Sequence, residues 1–260
     1  MNDPVLGHRD PKIIAQLLPL MQRVNRHYLR LRVDGFDRLP EGPVLYVGNH
    51  NGGIAGPDLC ATLGTLWACR GVEAPLYALA HDFAMRQLPI LGASLRRVGA
   101  VRACREHALH ALRAGAQVLV YPGGDLDAYR HSRRRDEVVL GPRTGFARVA
   151  REAGVPIVPI VAHGAHRSAY IFHEGEGMAR RIGLRRWGRL ERFPFAFALP
   201  WGVAVGPWVP YLPLPFSIRL RALEPIWPDD SSPDELRERV RERMQAALEE
   251  LARRHARRRR

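Results

Sequence analysis

Four short apolar runs, each bounded by glycine or proline, constrain this chain more than any other feature. They are Val44–Val47, Leu76–Leu79, Val118–Tyr121 and Ile157–Val161. A run of this length without polar alternation suits a strand buried on both faces, as in a parallel sheet. Helical stretches lie between them. Leu59–Cys69 follows Pro57 and Asp58, Ala103–Arg113 ends before Gly115, and Arg143–Ala153 stops at Gly154. This alternation predicts an α/β fold with a mostly parallel central sheet flanked by helices. Ile218–Leu223 alternates apolar residues with Arg219 and Arg221, and so predicts an edge or half-exposed strand.

The ends read as helices. Residues 11–30 repeat apolar groups with a helical period that Pro19 interrupts. At the other end, Ser232 and Glu235 form a capping-box pair, with Pro233 at the first helical position. Leu236, Val240, Met244, Leu248 and Leu251 then fall on one face. The predicted organisation is one domain: a helical segment over 1–30, an α/β core over 31–225, and an amphipathic helix with a basic tail over 226–260.

Composition narrows the class. Of the 260 residues, 46% are apolar and 25% charged, which excludes a disordered chain. Cys60, Cys69 and Cys104 form neither a disulfide framework nor a C-x-x-C pair, so a reducing, cytoplasmic setting is expected. The N-terminus makes a poor signal peptide. The most apolar stretch, 193–218, carries six prolines and cannot be a spanning helix.

The net charge is +14, and it is regional. Residues 253–260 carry +6 and Met178–Arg192 carries +5, which leaves +3 for the rest. Such an excess points to nucleic acid, an anionic membrane or acidic substrates. No helix-turn-helix, zinc or aromatic RNA-reading motif supports nucleic acid. The segment 178–218 sets arginines and Trp187 beside Phe193, Phe195, Phe197, Trp201 and Trp208. That mixture suits peripheral contact with an anionic membrane surface, or equally an aromatic core with solvated arginines.

The stretch Val47–Asp58, VGNHNGGIAGPD, is the richest in chemistry. It places Asn49 and His50 at the carboxyl end of a parallel strand, where open α/β sheets build their sites. Asp58 lies eight residues on. A straight helix would hold the two about 12 Å apart, but the intervening glycines Gly52, Gly53 and Gly56 let the chain fold back. A carboxylate on one ring nitrogen fixes the tautomer and supports the other nitrogen as a general base. The plainer reading makes Asp58 a helix-start residue and His50 a turn residue. In YPGGDLDAYR, Gly123 and Gly124 offer backbone N–H groups to a phosphate or an oxyanion, beside Asp125. Arg102 is a candidate phosphate ligand. His163, His166 and His173 lack the spacing and companions of a metal motif, so no metal is expected.

Together these blocks resemble the glycerolipid acyltransferase superfamily over about residues 30–225. Asn49, His50 and Asp58 resemble its first block, and Gly99 and Arg102 its second. Pro122, Gly123, Gly124 and Asp125 are similar to its third, and Val155, Pro156, Ile157 and Pro159 to its fourth. The usual first block has four residues between His and Asp. Here there are seven, Ala55 holds the usual Asp position, and the His-x-Gly-Gly form resembles a divergent branch. Asp82, Asp125 and Asp127 are alternative partners for His50. The third block lacks the usual glutamate. Its Pro-Gly-Gly form is similar to that of neutral-lipid acyltransferases, which calls the usual glycerol-phosphate acceptor into question.

The resemblance implies an O-acyltransferase with no cofactor beyond its acyl donor, acyl-CoA or acyl carrier protein. It implies a glycerolipid or lysophospholipid-type acceptor and a peripheral place on the cytoplasmic face of a membrane. His50 would be the base and Asp58 its partner. Asn49, Gly52, Gly53, Arg102, Gly123, Gly124 and Asp125 would bind substrate, with oxyanion donors near Gly123 and Gly124. Two other readings are a basic nucleic-acid- or membrane-binding protein without catalysis, and a lipid hydrolase. A Gly-x-Ser-x-Gly elbow is missing, which counts against a serine hydrolase.

Overall fold

The computed structural model describes residues 3–53, 56–81, 85, 89–188, 190–207 and 211–257. Its elements, in chain order, begin with α1 (Pro11–Arg23), β1 (Arg32–Asp34), β2 (Leu45–Gly48) and α2 (Pro57–Arg70). Next come β3 (Leu76–Ala80), α3 (Pro89–Arg97), β4 (Ala100–Arg102), α4 (Arg105–Arg113), β5 (Gln117–Val120), α5 (Gly124–Ala128) and α6 (Gly145–Ala153). The chain continues through β6 (Ile157–His163), β7 (Tyr170–His173), α7 (Glu176–Arg181), α8 (Leu184–Gly188), β8 (Phe195–Ala198), β9 (Gly202–Val205), β10 (Arg219–Ala222) and α9 (Pro233–Arg257).

Seven strands form the main sheet in the order β1-β10-β6-β2-β5-β3-β4. Every neighbouring pair is parallel except β10 and β6. The four apolar runs are its centre, and their side chains alternate between two cores. Leu45 and Val47 pack with α4, α6 and α9 on one face. Val44 and Tyr46 pack with α1 and α2 on the other. A sheet covered on both faces must be apolar on both, which is why these strands lack polar alternation.

The C-terminal prediction holds in detail. Ser232 Oγ accepts from the Glu235 N–H at 3.2 Å, and Glu235 Oε2 accepts from the Ser232 N–H at 2.6 Å. The five residues of the α9 stripe are all buried in the first core.

Two expectations change. Pro19 does not interrupt α1, which runs through it. Ile14, Leu18 and Met21 join the core against α2, and this packing outweighs the lost backbone hydrogen bond. Ile218–Leu223 does not give an edge strand either. β10 lies inside β1, which pairs with it through Arg32, Val33 and Asp34. The half-exposed pattern survives because Arg221 reaches Asp34 at 2.9 Å and Glu250 at 2.7 Å.

The proline-rich stretch after residue 193 contributes β8 and β9. With β7 they make a separate antiparallel sheet in the order β7-β8-β9. Among the described residues no helix is long and apolar enough to cross a membrane.

Candidate active site

β2, β5, β3 and β4 are parallel, so Gly48, Val120, Ala80 and Arg102 end on one edge of the sheet. The candidate site grows from the β2 end. Gly48 has no Cβ, and one there would strike the Tyr121 ring. The ring therefore packs closely against the strand end, with its centroid 4.9 Å from that of His50. Asn49 extends the ladder to β6 with its side chain. Its Oδ1 accepts from the Ala162 N–H at 2.7 Å and its Nδ2 donates to the Ala162 carbonyl at 3.1 Å.

The chain then folds back as the glycines allow. Gly52 and Gly53 have φ of +75° and +57°. A Cβ on Gly52 would meet Pro57 Cδ at 2.9 Å, and one on Gly53 would meet the Tyr129 ring at 2.8 Å. Both positions therefore need glycine for conformation and for space. The turn delivers Asp58 in the first turn of α2, fully buried, with Oδ2 3.0 Å from His50 Nδ1. The same oxygen accepts from the Asn51 N–H at 2.8 Å. With Asp58 ionised, Nδ1 carries the proton and donates to it. Nε2 is then the acceptor nitrogen of a ring that is 21% exposed.

Two opposed effects set the His50 pKa. Burial, the largest, disfavours the imidazolium. The Asp58 charge and hydrogen bond, with Asp127 behind them, favour it and prevail, so the pKa is raised from 6.5. Burial first, and then the Asp58 charge, raise the neighbouring Tyr121 hydroxyl well above the usual phenol value, so it stays protonated.

Among the described candidate partners, Asp58 is the carboxylate on the ring. Asp127 holds the His50 backbone instead, its Oδ2 accepting from the His50 N–H at 2.5 Å. Asp125 faces elsewhere. Its Oδ1 accepts from Arg143 at 3.1 Å, and its Oδ2 accepts from the N–H groups of Glu191 and Arg192. Asp82 and Ala55 lie outside the described residues.

The group that holds this turn in place is Arg130, a fully buried arginine that the sequence reading left unassigned. Its Nη1 donates to the His50 carbonyl at 2.8 Å and to Asp127 Oδ1 at 2.9 Å. Its Nη2 donates to Asn51 Oδ1 at 2.5 Å and to the Arg135 carbonyl at 2.9 Å. The i,i+3 spacing of Asp127 and Arg130 was the available signal, but such a pair reads equally well as a surface bridge. His166 completes the arrangement, with Nε2 donating to the Arg130 carbonyl at 2.8 Å. Burial, and then the Arg130 charge, hold it neutral by pushing its pKa well below 6.5. The other two histidines go elsewhere: His163 lies 3.4 Å from Asp136, and His173 packs edge-on against Phe195.

The third block differs from expectation. The Gly124 N–H donates to the Tyr121 carbonyl at 3.1 Å, so it closes a turn and is not offered to an oxyanion. Gly123 is needed for space, since a Cβ there would collide with the Val139 carbonyl and with Asp127. Its smallness lets Asp127 reach the His50 amide. Arg143 stitches the turn, its Nη1 donating to the carbonyls of Pro122 and Gly123 at 3.2 Å each. Arg102 is exposed at the end of β4, on the site's edge of the sheet. It is three strands from His50, about 14 Å at the usual strand spacing.

A narrow apolar cleft adjoins the turn. Gly53, Tyr129 and Tyr211 line it opposite Ile171, Ala196 and Ala204 of the small sheet. The Tyr129 hydroxyl donates to the Pro207 carbonyl at 2.6 Å, and that of Tyr211 bonds to Ser168 at 2.8 Å. The rings are thus tied down as walls.

Comparison with known proteins agrees with this architecture. Residues 30–163 match the family model described as Acyltransferase. An uncharacterized protein of Mycobacterium tuberculosis is 28% identical over 253 residues, covering 93% of this chain and 67% of its own length. A Bos taurus protein named "DGAT1/2-independent enzyme synthesizing storage lipids" is 26% identical over 220 residues, covering 84% of this chain and 58% of its own. The crystal structure of the 1-acyl-sn-glycerophosphate acyltransferase of Thermotoga maritima shares the fold. Its TM-score is 0.58 at 19% identity, over 93% of this chain and 81% of that one.

Proposed function

The chain belongs to the acyltransferase family, and from that premise we propose that it esterifies a hydroxyl of a glycerolipid-type acceptor with a fatty acyl group from a thioester donor. The carrying observation is the 3.0 Å contact between Asp58 and the Nδ1 of a partly exposed His50. Nε2 of His50 takes the proton from the acceptor hydroxyl, and Asp58 stabilises the imidazolium that forms. The acceptor oxygen attacks the thioester carbonyl carbon and a tetrahedral oxyanion results. As it collapses, the carbon–sulfur bond breaks and the leaving sulfur takes the proton from Nε2. The products are one ester and one free thiol, and the base is regenerated.

The cleft beside Gly53 is apolar in lining, but its volume of about 20 Å³ has room for little more than a water, so a fatty chain would have to widen it or lie along its mouth. Arg102, about 14 Å along the sheet edge, suits the phosphates at the far end of a long donor such as acyl-CoA. The Pro-Gly-Gly form of the third block favours an uncharged acylglycerol over a glycerol phosphate as acceptor, in keeping with the name of the Bos taurus relative.

Thiol release from acyl-CoA and from acyl carrier protein tests this reading. With monoacylglycerol, diacylglycerol and lysophosphatidate as acceptors, release should depend on an added acceptor and be fastest with a neutral one. Release that ignores the acceptor would indicate a thioester hydrolase instead.

A further inference from the structure

We propose that the outer face of the small antiparallel sheet is a docking surface for an anionic lipid bilayer. The register puts Tyr170 opposite Phe197 and Phe197 opposite Val203, so the three side chains share one face. They are 46%, 53% and 53% exposed. The Phe172 ring lies 4.9 Å from that of Phe197. Exposed Leu199 and Trp201 extend the patch at the β8–β9 turn, and exposed Leu212 pairs with Leu199 by an isolated bridge. An antiparallel sheet with one wet face normally turns polar residues to water. β8 and β9 read FAFA and GVAV, with no polar residue on either face. The small alanines line the cleft and the large side chains face out. This arrangement gives water the groups that would serve a core best, and a contiguous exposed apolar patch of this kind marks an interaction surface.

The charge around the patch selects the occupant. β7 leads directly into α7 and α8, which carry the exposed Arg180, Arg181, Arg185 and Arg186. The nearby acids Glu174 and Glu176 are both drawn to Arg192. The surroundings of the patch are therefore cationic, on a chain of net charge +14. A second copy of this chain would bring a like net charge of +14 to the patch. A bilayer containing anionic lipid complements both the apolar face and the arginines. The sheet's inner face lines the cleft beside Gly53, so docking on the outer face leaves the candidate site one sheet layer away from the lipid phase, the source of its acceptor. This last link rests on the acyl-transfer reading above, whereas the docking itself does not.

The test is co-sedimentation of the full chain with vesicles of phosphatidylcholine alone or of equal parts phosphatidylcholine and phosphatidylglycerol. Wild type should bind the anionic vesicles and weaken with salt. Phe197→Ser with Trp201→Ser should weaken binding at least tenfold without changing the thermal midpoint. Arg180→Gln and Arg181→Gln should each cost about fivefold. Leu17→Ser with Leu20→Ser, at exposed apolar positions on α1, should bind as wild type.

The proposal is overturned if wild type binds neither vesicle, or if the Phe197/Trp201 variant binds normally. It is also overturned if the α1 variant loses binding, or if the patch holds together a dimer in solution. Acyl transfer to a water-soluble short-chain acceptor, measured on the same samples, separates the two readings. Transfer without vesicle binding sinks docking alone, and vesicle binding without transfer sinks catalysis alone.

Discussion

Replacing His50 with alanine should lower acyl transfer about 10²–10⁴-fold, the usual contribution of a positioned general base. The loss should appear in kcat, because the base acts on a proton that moves only in the reaction. The fold should tolerate the change. Asp58 keeps its hydrogen bond from the Asn51 N–H, and the turn keeps its backbone anchors on Asp127 and Arg130. Thiol release and thermal unfolding measured on one preparation check both halves. An unchanged rate in a folded variant would remove His50 from the mechanism.

Arg130→Met should destabilise the protein by about 3–5 kcal/mol, the cost of leaving one member of a buried ion pair behind. That is a large share of the roughly 5–15 kcal/mol by which domains are stable. Asp127, whose carboxyl pKa burial already raises to about 6, would be left buried without its counter-ion. The carbonyls of His50 and Arg135 and the side chain of Asn51 would each lose a donor. Urea denaturation measures the change. The double variant Arg130→Met with Asp127→Leu removes both charges and should recover much of the stability. It should not restore activity, since removing Asp127 also takes the acceptor from the His50 N–H. Activity regained along with stability would show that the pair supports the fold and does not position His50.

The sheet was legible because burial on both faces leaves a plain signature. Leu45 to Val47 and Ile157 to Val161 are apolar at every position because their side chains alternate between the two cores. β1 was not legible, because Arg32, Val33 and Asp34 carry no apolar run and pair only at the sheet edge. That gap is what made β10 look like an edge. β8 and β9 were hidden for a different reason. Their alternation is large against small, Phe against Ala, so a pattern of apolar against polar does not reveal two distinct faces.

In the site, the strand-end Asn49-His50 and the glycine turn toward Asp58 could be read, since glycine is the residue that permits such a fold-back. The supporting groups could not. Arg130 and Arg143 are two arginines among many, and only the tertiary structure shows that the first is buried and the second bonded to the third-block carbonyls. The same limit explains Gly124. The sequence shows a glycine able to offer its N–H, whereas the Tyr121 carbonyl that takes it is a matter of turn geometry.

The pH dependence of kcat/KM in wild type and Asp58→Asn tests the central claim most directly. A general base works when neutral, so the rate should fall on the acid side through the raised pKa of His50, above 6.5. In Asp58→Asn the favourable charge is gone and burial dominates. The acid limb should then move to lower pH while the maximal rate drops. An acid limb that stays in place in Asp58→Asn, or a wild-type profile with none, would contradict an Asp58-supported His50 as the base.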